Sequence, residues 1–210
     1  MRRTRLFVAL ATLLLSTSAL TACGDDGHDY HGIQRDSPLE VVDYSLPEVT
    51  GGGTGGAFPF KAAPGTLLAV YFGYTTCPDL CPTTMTDLKQ AKEDLGADGS
   101  KVRVAMASVD PDRDAPAVLS NYLSSFFPAG EYHALRTDDE TELATVMDAF
   151  LASATIEPHE PGDTDYLVSH TGTTYVIDEN GTVVLEWPFG VKAEAMADDF
   201  RALFGELLSP

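Results

Sequence analysis

Residues 72–85 read FGYTTCPDLCPTTM, which places Cys77 and Cys81 four positions apart, directly after an apolar run. A thiolate is a nucleophile, a redox carrier and a soft metal ligand, so three chemistries are open to the pair. Four-residue spacing brings both side chains onto one helical face, near enough to share a metal or, with local adjustment, to bond. A disulfide placed for stability fits poorly, because closing a loop of about five residues contributes only roughly 2 kcal/mol, against about 4.7 for one near 100. Structural zinc wants four protein ligands, usually in paired clusters. Only one further cysteine exists, Cys23, far from the pair in sequence. Redox exchange is the serious rival, although its usual motif has two intervening residues and this one has three.

A third ligand would come from the five histidines, His28, His31, His133, His159 and His170. His28 and His31 lie in a polar stretch and read as solvated. His133 falls in a strand-like segment and reads as structural, and His159, in IEPHEPGD, as surface. His170, in DYLVSHTGTTYVID, stands just before a strand expected to enter the sheet. By itself it reads as a satisfied core or loop histidine.

The elements that must position these residues alternate strand with helix. LLAVYFG (67–73) is a continuous apolar run suited to a central strand buried on both faces. A helix is expected from about Pro82 to Leu95, with Met85, Leu88 and Leu95 at helical spacing. The cysteines therefore sit where a buried strand gives way to a helix, whose free N–H groups and dipole favour thiolate. KVRVAMASVD (101–110) is the next strand, closed by Pro111. APAVLSNYLSSFF (115–127) is a helix with Asp114 as expected N-cap and Pro116 in its first turn. YHALR is a short strand, and DDETELATVMDAFLA a long helix with acidic residues in its first turn. TGTTYVIDENGTVVLEWP is a hairpin turning at Asn180-Gly181, followed by a last helix from about Lys192 to Leu208. Upstream, VVDYSLPEV and AFPFKA flank TGGGTGG as a hairpin with a glycine-rich tip, which lacks the Gly-Lys-Ser/Thr ending of a phosphate cradle. The fold expected is a thioredoxin-like α/β sandwich, a central mixed sheet flanked by helices, with an N-terminal β-hairpin extension.

The N-terminus fixes the expected compartment. Arg2, Arg3 and Arg5 precede an apolar run from Leu6 to Leu15 that is short for a bilayer span, and Leu20-Thr21-Ala22 leads into Cys23. This pattern resembles the lipobox of bacterial lipoproteins, which implies a signal peptide over residues 1–22 and a lipidated Cys23. Residues 23–38, CGDDGHDYHGIQRDSP, read as a flexible tether, and 39–210 as one domain. The formal net charge of −19 becomes −22 without residues 1–22, since ten basic residues then face 32 acidic ones. That excludes nucleic acid as a natural partner, because phosphate binding needs clustered Lys and Arg.

YFGYTTCPDLCPTTM resembles the signature of the Sco/SenC family of copper-binding cytochrome c oxidase assembly factors, with matches at Gly73, Thr75, Cys77, Pro78, Asp79, Cys81 and Pro82. SVDPDRDAPAVLSNYLSSF is similar to the family's second block, and YLVSHTGTTYVIDENG to its third, with His170 at the ligand position. The resemblance implies a thioredoxin-like fold and one copper, Cu(I) or Cu(II), held by Cys77, Cys81 and His170. It implies as partners the oxidase subunit carrying the Cu-A site and other copper chaperones, with the lipid keeping the protein extracytoplasmic at the cell membrane. Two departures stand out: Thr76 where many relatives have histidine, and Ser169 where they have aspartate. Asp79 is expected to cap the helix, with Asp110 and Asp112 as polar neighbours of the site. The alternative function is a membrane-anchored thiol-disulfide oxidoreductase, or more remotely a thiol peroxidase, in which Cys77 and Cys81 are the redox-active pair and His170 tunes them.

Overall fold

The structure is a computed structural model that describes residues 28–207. The expected signal peptide and Cys23 lie outside the described residues.

The molecule is organised by one strand. β3 (Leu67–Gly73) is buried at every residue, as its unbroken apolar run requires. It pairs in parallel with β4 (Val102–Ser108) and antiparallel with β8 (Thr174–Ile177). β5 (Tyr132–Leu135) and β9 (Val183–Trp187) flank these, giving a mixed five-stranded sheet in the order β5-β4-β3-β8-β9. α1 (Leu80–Asp94) connects β3 to β4 and packs against α4 (Ala193–Leu207). α2 (Pro116–Ser124) connects β4 to β5, and α3 (Glu140–Ala149) follows. This is the expected sandwich, and the sequence-based boundaries fall within a few residues of these elements.

The N-terminal hairpin is also present, β1 (Ser45–Pro47) against β2 (Ala57–Pro59), with the glycine-rich segment at its tip. It seals the core through Phe60, whose ring meets Phe150 at 5.0 Å, and Phe150 in turn meets Phe72 at 5.2 Å and Tyr175 at 5.1 Å, all edge to face. The β8–β9 turn closes on Asp178, whose Oδ1 accepts from the amides of Asn180 and Thr182, both at 2.9 Å. Gly181 lies at φ +83° with Val42 against its Cα, so a side chain there would collide with Val42.

Three expectations are corrected. Residues 28–38, read as tether, are held on the domain from His28 onward. Asp199, fully buried on α4, accepts from His28 Nε2 (3.2 Å), the amides of His31 (3.0 Å) and Gly32 (3.1 Å), and the Trp187 indole (2.8 Å). Ile33 bridges to Glu186, whose carboxylate pairs with Arg35. Polar composition misleads here because this segment is anchored by main-chain amides, which every sequence carries. Second, Asp114 does not cap α2; Ala115 holds that position, and Asp114 is buried and turned inward. Third, Asp79 stands at the N-cap of α1 but its side chain makes no capping bond to the backbone.

One element was not expected. β6 (Ala154–Ile156) and β7 (Val168–His170) form a separate antiparallel ladder, pairing Ala154 with His170 and Ile156 with Val168. Among the described residues no helix is long and apolar enough to cross a membrane.

Candidate metal centre

The cysteine loop begins where β3 leaves the sheet at Gly73. A side chain at Gly73 would stand 2.9 Å from Cys81 Sγ and 2.7 Å from the Tyr71 ring, so glycine is what lets the loop fold back over the strand end. Asp114 then fixes the loop: it accepts from the Thr75 amide at 3.1 Å, the Thr75 hydroxyl at 2.6 Å and the Ser108 hydroxyl at 2.6 Å. Burial raises the Asp114 carboxyl above its ordinary range, while its hydroxyl and amide donors pull it back down.

Both cysteines are reduced and buried, Cys81 completely and Cys77 at 9 % exposure. The Cys81 amide lies 3.4 Å from Cys77 Sγ, as expected of a thiol at the start of a helix. The two thiols are unequal. A hydrogen bond from the Cys81 side chain, aided by His170 and the backbone amides of Cys81 and Asp79, holds Cys77 well below the usual thiol range despite its burial. The same bond and deeper burial push Cys81 upward. Of the two, Cys77 is the thiol favoured to lose its proton, with Cys81 as hydrogen-bond donor to it.

His170 reaches the pair from β7. Its Nδ1 faces the Thr171 carbonyl at 3.1 Å, and a carbonyl can only accept, so Nδ1 carries the ring proton. Nε2 faces the sulfurs and lies 3.5 Å from Cys81 Sγ. Tyr71 and Tyr74 set their rings edge to face with the imidazole, at 5.8 and 5.7 Å between centroids. One ligand atom from each of Cys77, Cys81 and His170 lies within 4.8 Å of the others. The donor set is two sulfurs and one imidazole nitrogen, which suits copper in either oxidation state and is one ligand short of a closed structural zinc site.

The other candidates lie elsewhere. His133 pairs with Glu48 at 2.8 Å, and His159 is exposed and stacked on Tyr166, as read from sequence. His28 is committed to Asp199. Thr76 is exposed on the loop. Ser169 is exposed, and its hydroxyl donates to Glu157, the residue after β6. Of the acidic turn, Asp110 is buried and Asp112 exposed. Sequence reasoning missed Asp114 as the loop's anchor and Arg113, which bridges toward the His170 strand; the density of charge in SVDPDRD was the available signal.

A family model described as SCO1/SenC matches residues 52–205. An SCO2-like protein of Rickettsia prowazekii is 29 % identical over 194 residues, covering 92 % of this chain and 89 % of that one. Among solved structures, ScoI of Bradyrhizobium japonicum with copper bound is 33 % identical with a TM-score of 0.62, over 79 % of this chain and 96 % of that one. Apo Sco1 of Thermus thermophilus is 31 % identical with a TM-score of 0.68, over 88 % of this chain and all of that one.

Proposed function

This chain belongs to the SCO1/SenC family, and we propose that it is a copper chaperone that carries one copper ion on Cys77, Cys81 and His170 and delivers it to the Cu-A centre of a cytochrome c oxidase. The observation that carries the reading is the convergence of two thiols and an imidazole within 4.8 Å. The thiolates supply soft donors for Cu(I), and the imidazole adds a donor suited to Cu(II). Only deprotonated sulfur binds metal, and Cys77 is the thiol favoured to lose its proton, so the proton harder to displace on loading is that of Cys81. Oxidation of the pair to a disulfide would empty the site, which couples cargo to redox state. The partners are the Cu-A subunit as acceptor and other copper chaperones, with the strongly acidic surface favouring a basic docking face. Lipidation at Cys23 would hold the protein on the outer side of the cell membrane beside such a client.

The test is an anaerobic copper titration of the reduced domain against a His170→Ala variant. The wild type is expected to take up one equivalent, and the variant to lose affinity, most for Cu(II). Equal binding by both would remove His170 from the site. A second reading, a thiol-disulfide oxidoreductase acting on client cysteines, is supported by the inequality of the two thiols, a nucleophile beside a resolving partner. It prevails if the reduced domain binds no copper tightly yet reduces a disulfide-bonded peptide bearing the two Cu-A cysteines.

A further inference from the structure

We propose that Arg113 is a positioning residue for His170: it clamps the segment carrying the imidazole against the cysteine loop and so sets whether the third ligand joins the two thiols. This rests on the copper reading above. Arg113 and its neighbour Asp114 face two different ligand-bearing segments. Asp114 holds the cysteine loop through Thr75. Arg113 reaches the other side, where Nη1 donates to the carbonyls of Tyr166 at 2.8 Å and Thr164 at 3.2 Å, just before β7. Its guanidinium lies 3.6 Å from the centre of the Tyr166 ring and 5.5 Å from that of Tyr74. Buried Asp110 fixes the arrangement, taking the Arg113 Nε–H and the Tyr166 hydroxyl, the latter at 2.8 Å. Tyr74 completes the link, since its hydroxyl accepts from the Val168 amide at 3.3 Å while its ring meets His170.

The clamp is needed because β7 has little else to hold it. It is three residues long and, among the described residues, pairs only with the equally short β6, outside the main sheet. A two-stranded ladder of that length is marginal in water by itself. Planarity matters as well as charge: the guanidinium bonds Asp110 and two carbonyls while stacked on a ring, which an ammonium cannot do.

The experiment uses Arg113→Met and Arg113→Lys, with His170→Ala defining the two-thiol state and Arg35→Ala, which breaks the pair with Glu186 on β9, controlling for general loss of stability. Two quantities are read: amide exchange at Val168 and Thr171 in the metal-free protein, and anaerobic binding of Cu(II) against Cu(I), with Cu(II) followed by its thiolate charge-transfer absorption. Both Arg113 variants are expected to speed exchange at those two amides. They are expected to weaken Cu(II) binding by about 10- to 100-fold, the usual effect of losing an outer support of a ligand, with a smaller loss for Cu(I) and a Cu(II) spectrum resembling that of His170→Ala. Arg35→Ala is expected to change neither. The clamp is overturned if Arg113→Met keeps wild-type exchange and Cu(II) binding, or if Arg113→Lys restores both, since charge alone would then suffice. Faster exchange with unaltered Cu(II) binding also overturns it, as the clamp would be structural only. If the wild type takes up no copper, the chaperone reading fails, and wild-type exchange in Arg113→Met would still dismiss the clamp on its own.

Discussion

Cys77 and Cys81 are the same chemical group placed in different surroundings, and the difference is set by a few neighbours. Cys77 receives hydrogen bonds from the Cys81 side chain and the Cys81 amide, whereas Cys81 is fully buried and acts as the donor. At pH 6, well below the ordinary thiol value, iodoacetamide should therefore modify Cys77 and spare Cys81, as peptide mass mapping would reveal. The sign follows from the depressed value: Cys77 reactivity stays near its plateau at neutral pH and falls only as the solution is acidified. Replacing Cys81 with alanine removes the largest stabilising bond, so the pH at which Cys77 becomes half-reactive should rise by more than about one unit. An unchanged profile would mean that the backbone amides alone hold the thiolate. Gly73 sets the same pair from below. Gly73→Ala puts a methyl group against Cys81 Sγ and the Tyr71 ring, an overpacking expected to cost about 1–3 kcal/mol in urea denaturation and to weaken copper uptake. Wild-type values on both counts would show that the loop can shift without loss.

At the scale of elements, what could be read beforehand was whatever periodicity and punctuation encode. β3 announced itself as seven apolar residues in a row, and the β8–β9 hairpin by Asn180-Gly181. The cysteine pair and His170 were legible through motif resemblance, since no local pattern brings together residues 89 positions apart. β6 and β7 were not legible, because three-residue strands carry no usable alternation and their pairing depends on the clamp beside them. The role of Asp114 was hidden for a related reason. An aspartate before Ala-Pro at a helix start has the pattern of a cap, and only the return of the chain toward Thr75 turns it inward. Its burial makes a prediction possible. Asp114→Ala leaves the Thr75 amide and the Thr75 and Ser108 hydroxyls without their acceptor, at an expected cost of roughly 2–4 kcal/mol. The variant should also lose copper affinity, whereas Asp112→Ala, at an exposed position of the same turn, should alter neither quantity. Equal behaviour of the two variants would deny Asp114 its part in the loop.

Across the whole molecule, the site lies at the same end of the sheet as the start of the N-terminal strap, residues 28–33, which then runs on along β9. Trp187 pairs with Thr174 in the β8–β9 ladder, and Thr174 pairs with Tyr71, two residues before Gly73. The strap ties to that end through Asp199, a buried carboxylate satisfied by two main-chain amides, an imidazole and the indole of Trp187. Removing the carboxylate leaves those donors without it in an apolar setting packed by Phe200, whose ring meets Trp187 at 4.8 Å. Asp199→Ala is therefore expected to lower unfolding free energy by about 2–4 kcal/mol. It should also free residues 28–33, so that their amides exchange faster and a protease cuts there. Trp187 is the sole tryptophan of the chain, so its fluorescence reports the same event without a label, moving to longer wavelength as the indole loses its carboxylate and gains water. The cysteines make no hydrogen bond to this cluster, so copper stoichiometry should stay at that of the wild type. A strap that remains protected in Asp199→Ala would show that the Ile33 and Arg35 contacts with Glu186 are sufficient by themselves. A variant that loses copper along with the strap would join the two ends of this cluster into one cooperative unit.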